Sequence, residues 1–189
     1  MADILRFPDH GRLLVCTDLQ GNLGDYARMD QLFHRAWEES GEDAHLLFTG
    51  DLIHGPYLSE DEWPDFLGEF YRDDSGGIVE RFALLKERFP EHVHALLGNH
   101  EHGHVGGPHT AKFAEDEVLM LERVLGAERT RALCRVVVTF PLVAVAPCGI
   151  VFTHGAPAAE IDAVAAILAA KLKGHEGQSP LAILASPVV

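Results

Sequence analysis

Short apolar runs alternate with amphipathic segments through the first half of the chain. Residues 12–17, 44–49 and 92–97 are apolar runs of strand length, and the first is suited to burial on both faces. Between the first two, residues 26–40 carry apolar side chains at helical spacing, and Gly41 marks the end of that helix. The pattern therefore predicts alternating strands and helices.

Further helices are predicted between the second and third strands and after the third. Residues 62–71 favour a helix, and Ser75 is suited to cap the next one. That helix has an apolar stripe that ends at Pro90, formed by Ile78, Phe82, Leu85 and Phe89. Residues 110–125 and 127–133 also predict helices.

The pattern changes near the end of the chain. Residues 136–146 and 149–153 predict two strands around a turn, and the Ala-rich residues 156–170 predict a helix against the core. Strands and helices followed by a hairpin predict an α/β sandwich with a mixed β-sheet flanked by helices. No repeat or linker is visible, so we assign residues 1–189 to a single domain.

Composition and charge limit the partners. Hydrophobic residues make up 47% of the chain, which predicts a globular core. The net charge of −14 argues against nucleic acid and anionic membranes as main partners, because phosphate groups are repelled. A phosphorylated substrate is compatible with this charge, because bound divalent ions reverse the local field.

The cysteines and the N-terminal residues indicate a reducing compartment. Cys16, Cys134 and Cys148 are odd in number and unevenly spaced, which disfavours a disulfide. The first residues lack the basic and apolar regions of a signal peptide, and no apolar run is long enough to span a membrane. We therefore expect a cytoplasmic protein.

Polar side chains follow four of the apolar runs. Asp18, Asp51, Asn99 and His154 each lie just after a predicted strand. Because ligands of open α/β sheets bind at the carboxyl ends of strands, we expect these groups at one edge. A mixed oxygen and nitrogen set suits Mn, Fe or Zn better than Ca, and two such ions can clamp the oxygens of an in-line displacement.

The same clusters resemble the calcineurin-like metallophosphoesterase superfamily, whose pattern runs D-x-H, G-D, G-N-H-[DE], H and a final G-H. Residues 98–101 (GNHE) have the spelling of its phosphoprotein phosphatase branch. Residues 140–142 (FPL) leading into 152–157 (FTHGAP) are similar to that branch's L-P-L leading into H-G-G-L-S-P. Residues 18–21 (DLQG) are also similar to the opening of symmetrical diadenosine tetraphosphatases. The resemblance covers nearly the whole chain.

The resemblance implies a role for each matching residue. Asp18 and Gln20 would bind a first metal ion, Asp51 would bridge two ions, and Asn99 and His154 would bind the second. His100 would be the general acid that protonates the leaving oxygen after direct attack by a metal-bound hydroxide. The implied substrate is a phosphomonoester, in a phosphoprotein or a small phosphorylated molecule such as a dinucleoside polyphosphate.

The chain departs from the pattern at three places. Gln20 stands where histidine is usual, which favours Mn or Mg at the first site. His54 replaces the aspartate that orients the catalytic histidine, and the phosphate-binding arginine after it is missing. Two adjacent imidazoles lower each other's pKa, which would impair His100 as an acid. The final G-H has a weak candidate in His175, and the fold is expected to be shortened at its C-terminus.

These departures leave a second hypothesis open, a degenerate phosphatase-like scaffold that binds a basic protein partner. A second chain that completes the sheet and the metal site is a related alternative. We also expect His102, His104 and His109 to lie in a solvated loop lining the pocket, and residues 115–117 to form a solvated helix face.

Overall fold

The computed structural model describes residues 4–155, which form six strands and four helices. The strands are β1 (Ile4–Arg6), β2 (Arg12–Cys16), β3 (Ala44–Phe48), β4 (Val93–Ala95), β5 (Val143–Ala146) and β6 (Ile150–Thr153). The helices are α1 (Leu23–Ser40), α2 (Ser75–Arg88), α3 (Asn99–Gly103) and α4 (Glu117–Val137). Short 3-10 turns occupy Gly41–Asp43, Glu60–Glu62 and Asp65–Leu67.

The described strands form two three-stranded sheets. In the first, β3 lies between β2 and β4, and all three strands are parallel. In the second, β5 pairs with β1 in parallel and with β6 in antiparallel orientation, so this sheet is mixed. The predicted α/β class with a mixed sheet is confirmed.

Strand β3 is the buried centre of the sandwich. Leu46 and Phe48 belong to the core formed with the helices, whereas Leu47 packs with Phe7 and Ala144 between the two sheets. Successive side chains of a strand point to opposite faces, so a run that is apolar at every position fits a strand covered on both sides. The parallel arrangement then brings the ends of β2, β3 and β4 to one edge.

The apolar stripe of α2 lies in the core, as predicted, with Ile78, Phe82, Leu85 and Phe89 all buried. Asp74, rather than Ser75, caps α2, because its carboxylate accepts the backbone N–H of Gly77.

Several predicted elements are wrong in detail. Residues 62–71 contain no α-helix and only short 3-10 turns, because Pro64 and Gly68 interrupt them. Helix α4 begins at Glu117 rather than residue 110 and continues across a kink at Gly126 to Val137. Strand β2 lies at the edge of its sheet and leaves Val15 41% exposed, so it is not buried on both faces.

No helix within residues 4–155 is long and apolar enough to cross a membrane. Cys16, Cys134 and Cys148 are all free thiols, in agreement with the expectation that they form no disulfide.

Candidate metal centre and catalytic histidine

The loops that follow the strands place the predicted site residues together. Asp51 follows β3, Asn99 begins α3 just after β4, and His154 follows β6. The loop after β2 is tied to this group because the backbone N–H groups of Leu19 and Gln20 both donate to the carbonyl of Asp51, each at 2.9 Å. Residues far apart in sequence therefore meet at one edge of the parallel sheet.

The backbone at this edge is strained. Gln20, Asp51 and His54 have φ angles of 44°, 55° and 65°, a left-handed region that non-glycine residues rarely adopt. Such residues persist only where the surrounding structure holds them, and they cluster at functional sites. All three are residues to which the sequence assigns a role.

Two glycines allow the strand ends to approach. A Cβ at Gly50 would lie 2.8 Å from the backbone of Gly98 and 2.8 Å from Nδ1 of His154. A Cβ at Gly98 would collide with Asp51 and would lie 2.6 Å from Oε2 of Glu101. The G-D and G-N-H-E motifs thus need glycine because their backbones pack against each other.

Asp51, Asn99 and His154 form a compact donor set. Nε2 of His154 lies 2.9 Å from Oδ1 of Asn99 and 3.3 Å from Oδ1 of Asp51. On the other side of the ring, Nδ1 of His154 lies 3.0 Å from the carbonyl oxygen of Thr49. A carbonyl can only accept, so Nδ1 carries a proton and the ring is held with Nε2 towards the two oxygens.

This arrangement fits a divalent cation. Two acceptor oxygens face a single ring nitrogen, and this environment stabilises a positive charge held between them. Burial lowers the pKa of His154, but the hydrogen bond and charge of Asp51 outweigh it and raise the pKa to about 9. A bound ion would take the place of that Nε2 proton. The residues present therefore suit at least one metal ion.

Glu101 holds the backbone around the centre in place, a role that the sequence pattern did not indicate. Its buried carboxylate accepts backbone N–H groups of Asp51 at 2.8 Å, Leu52 at 2.7 Å, Ile53 at 3.3 Å and Gly98 at 3.1 Å. Burial, followed by the charge of Asp51, raises the pKa of Glu101 to about 7. The glutamate of the G-N-H-E motif is the signal that would have found it.

Within the described part of the chain, the side chains of the other two predicted ligands make no hydrogen bond or ion pair with this donor set. Asp18 is exposed, although its charge contributes to the raised pKa of His154. The side-chain oxygen of Gln20 accepts a hydrogen bond from Nζ of Lys112 at 2.9 Å. His175, the weak candidate for a further ligand, lies outside the described residues.

His100 is buried beside the donor set. Its backbone N–H donates to Oδ1 of Asp51 at 3.2 Å, and its Nε2 lies 3.7 Å from Oδ2 of the same carboxylate. Burial lowers the pKa of His100, while the charges of Asp51 and Glu117 oppose that change. The ring is thus placed at the edge of the centre, as a proton donor to a bound group must be.

A row of imidazoles runs from His100 into the protein. Nδ1 of His100 lies 2.9 Å from Nδ1 of His54, and Nε2 of His54 lies 2.8 Å from Nε2 of His104. Nδ1 of His104 lies 3.2 Å from Oε1 of Glu122. Burial, followed by the charges of His104 and His100, lowers the pKa of His54 to about 3, so this ring is neutral near pH 7.

Two expectations about solvent exposure are wrong. His102 and His104 are buried, because residues 99–103 form a helix that turns them inwards rather than a solvated loop. His109 does remain exposed and lies 2.8 Å from Asp116. Glu117 was expected on a solvated face but is fully buried, because the first turn of α4 packs beside His100. Local spacing along the sequence predicts neither the burial of His102 and His104 nor the burial of Glu117.

Among the described residues, one group of three His, Cys, Asp or Glu side chains has ligand atoms all within 4.8 Å of one another. It consists of His54, His100 and Glu117. His54 and His100 of this group are also the two predicted catalytic residues. The set of Asp51, Asn99 and His154 is not a group of this kind, because Asn99 contributes an amide oxygen.

Comparison with known proteins identifies the class. Residues 11–177 match the family model of the calcineurin-like phosphoesterases, so the chain belongs to this family. The predicted family and its fold are confirmed. No curated protein matches the chain.

Two solved structures are similar to this chain, and the first shows the same fold. A protein serine/threonine phosphatase from Saccharomyces cerevisiae, described as similar to human phosphatase PP5, matches with a TM-score of 0.53 and 18% identity over 85% of this chain. A proposed diadenosine tetraphosphatase matches with a TM-score of 0.48 and 17% identity over 86% of this chain. The chain spans 44% of the first protein and 59% of the second.

Proposed function

We propose that this protein is a metal-dependent phosphoesterase that hydrolyses a phosphomonoester. The observation that carries the proposal is the convergence of Asp51, Asn99 and His154, with Nε2 of His154 within 3.3 Å of both oxygens. Family membership supports the same class of reaction. A phosphoprotein is one candidate substrate, cleaved at its phosphomonoester. A small phosphorylated molecule such as a dinucleoside polyphosphate is the other, and it would be cleaved at a phosphoanhydride bond.

Each residue has a task in this proposal. Asp51, Asn99 and His154 hold a divalent ion, and Asp18 and Gln20 belong to a second site. Divalent ions bound there supply Lewis-acid activation of water and neutralise the charge of the phosphoryl group. His100 protonates the leaving oxygen, and general acids of this kind contribute about 10²–10⁴ in rate. Manganese is the proposed metal, because Gln20 contributes an oxygen where the family pattern has a nitrogen.

The test is turnover of p-nitrophenyl phosphate by the purified protein with added Mn, combined with metal analysis. We expect turnover that EDTA abolishes. We expect Asp51→Asn to lose bound metal and to lower kcat by at least about 10²-fold. Asp61→Asn is the matched control, since Asp61 is exposed in a 3-10 turn and should retain full activity.

A scaffold without catalytic activity is the second candidate, and two observations favour it. Lys112 donates a hydrogen bond to the side-chain oxygen of Gln20. His54 stands where the family pattern has an orienting carboxylate. A stable fold that binds no metal and shows no turnover would reject the phosphoesterase proposal in favour of this candidate.

A further inference from the structure

Glu117 is a buried carboxylate to which the family pattern gives no role. Its Oε1 accepts the backbone N–H of Phe113 at 2.8 Å. Its Oε2 has no hydrogen-bond partner among the described residues, yet lies 3.4 Å from Nδ1 of His100. Because an unpaired buried carboxylate oxygen is costly, its position beside a ring nitrogen requires an explanation.

The imidazole row has a consistent set of neutral tautomers. Carboxylates only accept, so the contact with Glu122 requires the proton of His104 on Nδ1, which leaves Nε2 as an acceptor. His54 must then donate from Nε2, and its own Nδ1 becomes an acceptor. His100 therefore donates from Nδ1 to His54. This is the tautomer of His100 that also suits Glu117.

Thr110 agrees with the same assignment. Its hydroxyl oxygen lies 3.3 Å from Nδ1 of His100 and 3.4 Å from Nδ1 of His54. A hydroxyl can accept from the first nitrogen and donate to the second. The proton on Nδ1 of His100 is thus surrounded by acceptors, and Nε2 is left facing Asp51 and the metal centre.

We propose that Glu117 is a positioning residue for His100. The Nδ1–H of His100 is donated to His54, and the carboxylate of Glu117, with Oε2 3.4 Å away, holds the proton on Nδ1 by its charge. It takes the orienting role that a carboxylate at position 54 has in the family pattern, and the row of His54, His104 and Glu122 fixes the same tautomer. The proposal rests on the proposed phosphoesterase activity. Its consequence is that replacement of the family's aspartate by His54 does not remove the carboxylate partner of His100.

A metal ion among His54, His100 and Glu117 is the competing explanation of this cluster. Two nitrogens bound to one tetrahedral ion such as Zn, at about 2.0–2.1 Å each, would lie about 3.3–3.4 Å apart. The two Nδ1 atoms lie only 2.9 Å apart, which is the distance of a hydrogen bond. The distance therefore argues against a tetrahedral ion in this cluster, and the metal content of Glu117→Gln tests an octahedral one.

The kinetic test uses two substrates with different leaving groups. Glu117→Gln keeps the oxygen that accepts from Phe113 but removes the charge. We expect kcat for phenyl phosphate, whose leaving group needs protonation, to fall about 10–100-fold. We expect kcat for p-nitrophenyl phosphate to fall less than about 3-fold, because its leaving group needs little help from an acid. KM and metal content should not change.

Glu128→Gln is the matched control, because Glu128 is an exposed residue of the same helix. Equal losses of kcat with both substrates would show a purely structural role and overturn the proposal. Unchanged kcat with both substrates, or the loss of one bound metal ion from Glu117→Gln, would also overturn it.

A spectroscopic test separates failure of this proposal from failure of the proposed activity. In ¹⁵N-histidine-labelled protein we expect His100 to carry a proton on Nδ1, and the imidazolium form that acts as the acid carries a second proton on Nε2. In Glu117→Gln the Nδ1 proton resonance should move to lower chemical shift, because a neutral amide polarises the neighbouring N–H less than a carboxylate does. An Nδ1 that carries no proton, or a resonance unchanged by the substitution, would contradict the role of Glu117 even if the wild-type protein hydrolyses neither ester. If the variant does not fold, the tautomer of the wild-type protein decides.

Discussion

Lys112 places its Nζ 2.9 Å from the side-chain oxygen of Gln20, although the two residues lie 92 positions apart. This oxygen is the proposed ligand of a first metal ion. A lysine ammonium and a divalent ion compete for the same acceptor and repel each other. Lys112 therefore opposes binding of the first ion, and its charge also lowers the pKa of His100.

Lys112→Met should tighten Mn binding at the first site. The substitution frees the oxygen of Gln20 and removes a like charge. Because Lys112 is exposed, we take the value for charges screened by bulk water, about 1 kcal/mol or about 5-fold in Kd. Calorimetric titration of Mn into metal-free protein measures it. Arg28→Met is the control, since Arg28 pairs with Asp25 on α1. Unchanged or weaker Mn binding in Lys112→Met would argue against Gln20 as a ligand.

Gln20→His should shift metal preference from Mn towards Zn. An imidazole is a better ligand for Zn than an amide oxygen, and histidine tolerates the left-handed backbone observed at position 20. We expect the ratio of Zn to Mn affinity to rise about 10-fold. Competition between the two metals, followed by metal analysis, tests this. If the ratio does not change, Gln20 lies outside the ligand set.

Gly98→Ala should disrupt the centre without removing any ligand. The added Cβ would collide with Asp51 and lie 2.6 Å from Glu101, both held by backbone hydrogen bonds. We expect a loss of about 1–3 kcal/mol in the free energy of unfolding, together with weaker metal binding. Urea denaturation measures the first effect. Gly24→Ala is the control, because Gly24 lies in the first turn of α1, where alanine is favoured.

Stability should fall as the pH drops from about 6.5 to about 4, in part because of His94. Burial, followed by the charge of Lys86, lowers the pKa of His94 from 6.5 to about 4. In this window the unfolded chain binds a proton that the folded chain does not, so the free energy of unfolding falls by up to about 1.4 kcal/mol per pH unit. Above pH 6.5 this contribution is fully present.

Urea denaturation between pH 7.5 and 4.5 measures this dependence. His94→Gln should reduce the slope by close to one proton, since glutamine does not titrate. His10→Gln is the control and should not flatten the slope, because His10 is exposed and its pKa is raised rather than lowered by Asp9. A slope that is equally steep in His94→Gln would place the acid-sensitive group elsewhere.

The local pattern predicted the elements that carry the donor set. Each of β2, β3 and β4 is an apolar run that is followed by glycine, aspartate or asparagine. The hydrophobic pattern and the turn-forming residues therefore predict the same strand ends. Parallel pairing then puts Asp51 and Asn99 at the same edge without further information. The motif G-N-H-E also contained Glu101, whose role became visible only from its four backbone partners.

Long-range packing was beyond local sequence reasoning. Strand β1 has only three residues and exists because it pairs with β5, more than 130 positions later. Glu117 looks like one acidic residue among three, and its burial depends on how α4 packs beside α3. His104 likewise meets His54 only because α3 turns it inwards. Spacing along the chain carries no signal for any of these contacts.

The most direct measurement is an anomalous difference map from crystals grown with Mn. We predict a peak within about 2.0–2.3 Å of Oδ1 of Asp51, Oδ1 of Asn99 and Nε2 of His154. A map with no peak there, or with its only peak among His54, His100 and Glu117, would contradict the proposed metal centre.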